Sequence, residues 1–219
     1  MKKRDNLNHI SFLYKPKLDY IKSFINKTKN INILEFGVMH GRSTKMFLEL
    51  CKKLNGKLIS VDMNDHSNLF NDKKWKFIHS RDDDPDLLKK INNKKFDIIY
   101  IDSSHEPNHV KKILYMYFKY LKIGGRVFLD DINWLPYVKN SFKDSEYSEV
   151  MNRKIFSKII EIYYANLENI KLEISFCGTG NANILKLNNK NLDEPKKIKN
   201  RIFGFRNFCR IFIKRKPKM

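Results

Sequence analysis

The chain is short of several things that define common classes of protein. Of its 219 residues only three are cysteine, and Cys51, Cys177 and Cys209 form no C-x-x-C pair, so neither a zinc module nor a disulfide framework is indicated. A reducing compartment is expected. No run of about 18 apolar residues occurs, and the basic amino terminus lacks the apolar core of a signal peptide, which predicts a cytosolic body. The first glycine-bearing turn is neither G-x-G-x-x-G nor a loop ending in G-K-[ST], which excludes the nicotinamide-cofactor fingerprint and the P-loop. Acidic residues are absent from Pro195 onward, where ten of the 44 Lys and Arg residues lie, so half of the formal net charge of +20 belongs to that stretch. The rest is spread over a Lys- and Asn-rich body, as expected of a solvated surface.

What is present is a single domain's worth of alternating strand and helix patterns. Ile31, Ile33 and Leu34 begin a buried strand that breaks at Gly37 and restarts as an amphipathic helix beyond Gly41. Strand, glycine turn and helix start together predict a ligand at the carboxyl edge of a parallel sheet. The glycines let the backbone approach that ligand, and Glu35 is placed to accept hydrogen bonds from it. Phe47, Leu50, Cys51 and Leu54 mark the helix, which Asn55-Gly56 ends. A second strand closes on Asp62, about 20 residues beyond the glycine turn, where a carboxylate can accept from both hydroxyls of a ribose or can simply cap a turn. Upstream, Leu18, Ile21, Phe24 and Ile25 predict a helix over 16–29.

Three further strands follow: Trp75–His79, Phe96–Ile101 ending at Asp102, and a fifth ending in Asp130 and Asp131. Between the last two, Val110, Ile113, Leu114, Tyr117 and Leu121 form one face of a helix that Gly124-Gly125 is expected to stop, with His105 near its start. If the strands are neighbours, Asp102, Asp130 and Asp131 converge, and like charges that close call for a cation between them. Oxygen ligands alone favour Mg²⁺, Ca²⁺ or Mn²⁺; the competing reading is that one carboxylate caps a helix and no metal binds. Residues 132–154 predict a loop or lid with Trp134 and Tyr137 available to stack on an acceptor or to pack, then a helix around Ile155, Ile159 and Ile162, then an antiparallel hairpin.

The spacing Glu35, Gly37, Gly41, Ser43 resembles the first motif of class I S-adenosylmethionine-dependent methyltransferases. D-x-x-H at Asp102 and His105, with an acidic pair ending the fifth strand, resembles the metal-dependent sugar O-methyltransferases of the macrocin type within methyltransferase family 24. The likeness runs from about Asn32 to about Lys186, and departs from the family at Ser103 and Ser104, where a glycine and an acid are usual. It implies an α/β fold with a Rossmann-like, seven-stranded, mainly parallel sheet, an antiparallel last strand and flanking helices. It implies S-adenosylmethionine held by Glu35, Gly37, Gly41, Ser43, Asp62, Asp82 (toward adenine) and Asp102, a divalent metal, expected to be Mg²⁺, on Asp102, Asp130 and Asp131, and His105 as general base. The acceptor is then a hydroxyl of a sugar or other small diol. Two other functions stay open: a nucleic-acid methyltransferase, motivated by the charge, and a binding protein on a fold that has lost catalysis.

The expected organisation is a helical segment over 1–30, the methyltransferase domain over 31–190 and a basic tail over 191–219. In the tail Ile198, Ile202, Phe205, Cys209 and Phe212 share one helical face, a pattern that fits an anionic membrane surface, a nucleic acid or docking on the domain. Self-association is left open by the sequence.

Overall fold

The computed structural model describes residues 15–25, 29–91, 94–136 and 146–199. A helix over residues 15–23 (α1) precedes β1 (Asn32–Phe36), α2 (Arg42–Lys53), β2 (Lys57–Asp62), β3 (Trp75–His79), α3 (Leu87–Lys90), β4 (Phe96–Ile101), α4 (Pro107–Phe118), β5 (Leu121–Asp130), α5 (Glu146–Ala165), β6 (Ile170–Ser175) and β7 (Asn181–Lys186). The strands make one seven-stranded sheet in the order β3-β2-β1-β4-β5-β7-β6, parallel except where β7 pairs antiparallel with β5 and β6.

The central strands are apolar on both faces because helices cover both. Along β1, Ile33 faces the side closed by α1 and α2, with Ile21, Phe47 and Cys51, while its neighbour Leu34 faces the side closed by α4 and α5, with Ile113 and Ile159. The same alternation splits Ile98 and Tyr100 from Ile99 and Ile101 on β4, the period of two that an extended chain dictates. Each such side chain, fully buried, contributes on the order of 1.5–3 kcal/mol.

Chain direction reverses its drift at β1 and β4: from β1 the chain builds outward to β2 and β3, then returns to lay β4 on the other side. A crevice opens at the carboxyl ends of two strands whose connections leave in opposite directions, and here those strands end at Gly37 and Asp102.

Three expectations are corrected in detail, and one open alternative is resolved. Leu121 does not belong to α4, which ends at Phe118; it opens β5, and Gly124-Gly125 lie inside that strand rather than after the helix. Between Phe96↔Leu121 and Ile98↔Arg126 the pairing register shifts, so the extra residues of β5 bulge, and Gly124 takes a φ of +77° there. The fifth helix begins at Glu146, well ahead of Ile155. Trp134 is packed rather than free to stack on a ligand, edge-on to Phe156 at 5.7 Å with the Arg153 guanidinium 5.4 Å from its ring centre. Finally, the helix expected over 16–29 is described only as far as residue 23, followed by a turn. Tyr137 and the tail from residue 200 lie outside the described residues, and no helix among the described residues is long and apolar enough to cross a membrane.

Candidate active site

The crevice is a cavity of about 810 Å³ whose walls are the loops that follow β1, β2, β3, β4 and β5. Gly37, Ser43, Asp62, Asp82, Asp102, His105 and Asp131 all line it, so seven of the expected site residues share one space. Glu35, Gly41 and Asp130 do not line it, and each has a physical reason.

Glu35 was expected to meet the ligand directly. Instead its carboxylate is fully buried beneath the glycine turn and accepts from the Ser43 hydroxyl at 2.6 Å, Thr44 at 2.8 Å and Ser60 at 2.6 Å. Ser60 stands opposite Glu35 in the parallel register of β1 and β2, while Ser43 and Thr44 open α2. Glu35 therefore ties strand, turn and helix together. Burial pushes its carboxyl up to about 7, although the three hydroxyl bonds pull the other way. Gly41 caps α2 with a φ of +68°, and a methyl group there would press on the Phe70 ring at 3.0 Å; its role is in the turn, away from the cavity.

Gly37 is where the fold requires glycine. Its φ is +91°, and a Cβ would stand 2.0 Å from the Asp102 carbonyl oxygen, inside any contact distance. The turn after β1 and the end of β4 thus touch through backbone alone. Asp62 holds the same turn from the other side: its Oδ2 accepts from Val38 N at 2.8 Å and Met39 N at 3.3 Å, and its Oδ1 from Asn64 N at 2.8 Å.

At the far wall Asp82 is already engaged. Its carboxylate lies 2.9 Å from His109 Nε2 and accepts from the Ser103 hydroxyl at 2.5 Å, while its carbonyl accepts from Tyr117 OH at 2.8 Å. His109 was not singled out in the sequence, though it lies one helical turn beyond His105 and also lines the cavity.

The acidic triad needs the largest revision. The side chains that converge are Asp102, His105 and Asp131, each offering one ligand atom within 4.8 Å of the others. Asp130 turns behind the sheet and is buried against the Lys17 ammonium of α1, with Tyr100 OH donating at 2.6 Å and Thr179 Oγ1 at 3.2 Å. A period-two strand explains the split: Asp130 ends β5 on the face of Phe128, whereas Asp131, at a φ of +55°, leaves the strand and swings into the cavity. His105 precedes α4 rather than starting it. Glu106 caps that helix, accepting from Asn108 N at 3.1 Å and His109 N at 2.6 Å, and leaves His105 free to face Asp131, Nδ1 to Oδ2 at 3.1 Å.

Electrostatics follow from burial. Asp102 is held well above the usual carboxylate range by burial and by the Asp130 charge. Asp131 is raised for the same two reasons, with His105 opposing. Burial works on Asp130 too, but the Lys17 charge and hydrogen bond, with that of Tyr100, overcome it and leave its carboxyl lowered. Two carboxylates that resist ionising side by side, with an imidazole within 4.8 Å and open space beyond, make a site suited to a cation. The two carboxylate oxygens of Asp102 and Asp131 suit a hard divalent ion such as Mg²⁺ or Mn²⁺.

A seven-stranded sheet of this order with a reversed last strand, and a cavity at its carboxyl edge walled by the turn after β1, defines the class I methyltransferase fold. Residues 34–132, a little under half of the chain, match the family model described as Methyltransferase domain, methyltransferase family 24. No curated protein matches the sequence.

Among solved structures, a Staphylococcus aureus protein proposed to be a caffeoyl-CoA O-methyltransferase superimposes with a TM-score of 0.60 at 21% identity, over 78% of this chain and 83% of that one. The MycE methyltransferase of the mycinamycin biosynthetic pathway, in complex with Mg, SAH and mycinamycin VI, gives 0.57 at 20% identity, over 84% of this chain and 52% of that one. This chain thus spans about half of MycE. CalS11, a TDP-rhamnose 3′-O-methyltransferase of calicheamicin biosynthesis, gives 0.52 at 15% identity, over 84% and 80%. At these identities the likeness is one of fold.

Proposed function

We propose that this methyltransferase moves the methyl group of S-adenosylmethionine to a hydroxyl oxygen of a small molecule, most simply a sugar or another diol, with a divalent cation at Asp102 and Asp131. The observation that carries the reading is that Asp102, His105 and Asp131 open into the same cavity as the glycine turn and Asp62. Support comes from the neighbours: MycE is complexed with Mg and SAH, and CalS11 acts on a sugar 3′-hydroxyl.

Asp62, held by the turn after β1, offers carboxylate lone pairs to the ribose hydroxyls, and Asp82 faces the adenine end with its orientation fixed by His109 and Ser103. Gly37 allows the cofactor to lie against backbone next to Asp102. A bound divalent ion would lower the acceptor hydroxyl's pKa and hold it in line with the methyl group. His105 supplies the base: with Nδ1 turned to Asp131, Nε2 is the nitrogen that takes the hydroxyl proton. As the oxygen attacks, the new C–O bond forms, the methyl-to-sulfur bond breaks, and a methyl ether and S-adenosylhomocysteine result.

Isothermal titration of S-adenosylmethionine and then Mg²⁺, on the wild type and on Asp131→Ala, tests the reading. Cofactor binding by both proteins with saturable metal binding in the wild type alone supports it, and a panel of sugars and diols then finds the acceptor. Cofactor binding with no metal response removes the cation from the scheme; absence of cofactor binding removes the scheme.

A further inference from the structure

We infer that Lys17, from the helix ahead of the first strand, is a positioning residue of this site: its ammonium stands as a built-in cation on Asp130 and neutralises that carboxylate beside the cation site. This rests on the cation site proposed above. Lys17 is 1% exposed, and its Nζ touches both the Asp130 carboxylate and Thr179 Oγ1, the latter at 3.2 Å. Asp130 is equally buried and faces away from the cavity that Asp102 and Asp131 line. Yet the two sides are not remote. The Tyr100 hydroxyl lies 2.6 Å from Asp130 Oδ2 and 3.2 Å from Asp102 Oδ2, so a single oxygen atom separates Asp130 from the cavity's own carboxylate.

A charge so deeply buried is retained only where it is paired, and the pair here joins residues 113 positions apart. An unneutralised Asp130 charge, one hydroxyl away from Asp102, would make the cavity more negative and hold a cation more tightly, although Asp130 itself lies outside the cavity. Lys17 cancels that charge. The docking of α1 and the affinity of the cavity for a cation are therefore coupled through Asp130, although Lys17 touches no ligand.

Binding of Mn²⁺, followed by its electron paramagnetic resonance signal, is the readout, with circular dichroism confirming the fold of each variant. Lys17→Met is expected to bind Mn²⁺ at least tenfold more tightly than the wild type, and adding Asp130→Asn to it is expected to return the affinity to the wild-type value. Asp130→Asn alone is expected to stay within about threefold of wild type, whereas Asp102→Asn loses binding. A lysine that merely tethers a helix would leave Mn²⁺ affinity unchanged in Lys17→Met, and that result overturns the inference, as does loss of Mn²⁺ by Asp130→Asn. Should Lys17→Met not fold, Lys17→Gln keeps a hydrogen-bond donor for Asp130 without the charge and is expected to show the same tenfold gain over wild type. A wild type silent toward Mn²⁺ while Lys17→Met binds it would uphold Lys17's role and defeat the metal-assisted reading; silence in both defeats the two together.

Discussion

His105 and Asp131 face each other at the cavity, Nδ1 to Oδ2 at 3.1 Å, although one follows β4 and the other follows β5. Adjacent parallel strands bring their ends together, and the helix cap at Glu106 decides that His105 stays outside α4. The carboxylate thus orients the ring, and the opposite nitrogen is left for the acceptor. His105→Ala is expected to lower kcat by about 10²- to 10⁴-fold, the range for loss of a general base, with S-adenosylmethionine affinity within about twofold of wild type. Steady-state release of S-adenosylhomocysteine, with calorimetry for the cofactor, checks both halves.

Gly37 and Gly124 have similar positive φ, +91° and +77°, but unlike surroundings: a Cβ at Gly124 meets nothing within 4 Å, whereas at Gly37 it meets the Asp102 carbonyl. Gly124→Ala is expected to cost about 1 kcal/mol of backbone strain. Gly37→Ala must also push β1 from β4, and is expected to cost about 3 kcal/mol or more, a Tm lowered by roughly 6–12 °C for a chain of this size. It is also expected to abolish cofactor binding. Thermal melts of the two variants side by side separate strain from steric exclusion.

A ligand that binds only the folded protein raises its stability by RT ln(1 + [L]/Kd), about 2.7 kcal/mol at 100 times Kd. Saturating Mn²⁺ or Mg²⁺ is therefore expected to raise the wild-type Tm by roughly 5–11 °C, and a chelator to reverse it. Asp102→Asn is expected to show no such rise. Differential scanning fluorimetry across a metal titration reads this without any knowledge of the acceptor.

The sheet was legible because its information is local. Apolar runs that end in Gly37, Asp62, Asp102 and Asp130 mark strands and their carboxyl edges, and a shared edge follows from parallel pairing. The bulge in β5 was not legible: Leu121 continues the spacing of Val110, Leu114 and Tyr117, and only the pairing of Phe96 with Leu121 assigns it to the sheet. The site divided along the same line. That Asp102, His105 and Asp131 lie near one another follows from strand order, but that Asp130 is spoken for depends on Lys17, more than a hundred residues away and on an amphipathic helix whose other signals were those of packing. Glu35 failed for a related reason. Ser43, Thr44 and Ser60 satisfy it, and the partner of a strand-end carboxylate is set by register and helix entry, which one strand's sequence does not contain.

Glu35 has a measurable consequence of its own. Its carboxyl is raised from 4.5 to about 7, because burial opposes the charged form more than the three hydroxyl bonds favour it. Between these values the folded protein holds a proton that the unfolded chain has released, so stability falls as pH rises from about 4.5 to 7 and levels above that. At about 1.4 kcal/mol per unit, the loss from this group is roughly 3 kcal/mol at neutral pH. Glu35→Gln keeps one carbonyl acceptor and replaces the other oxygen by an amide that donates to a rotatable hydroxyl, without a charge to bury. The difference in unfolding free energy between variant and wild type is therefore expected to shift in the variant's favour by about 3 kcal/mol between pH 4.5 and 7.5, measured by urea denaturation at each pH. A difference that stays flat would mean that the carboxylate is solvated well enough to ionise normally, and the hydroxyl cradle would then be an anion site under the glycine turn rather than a neutral clasp.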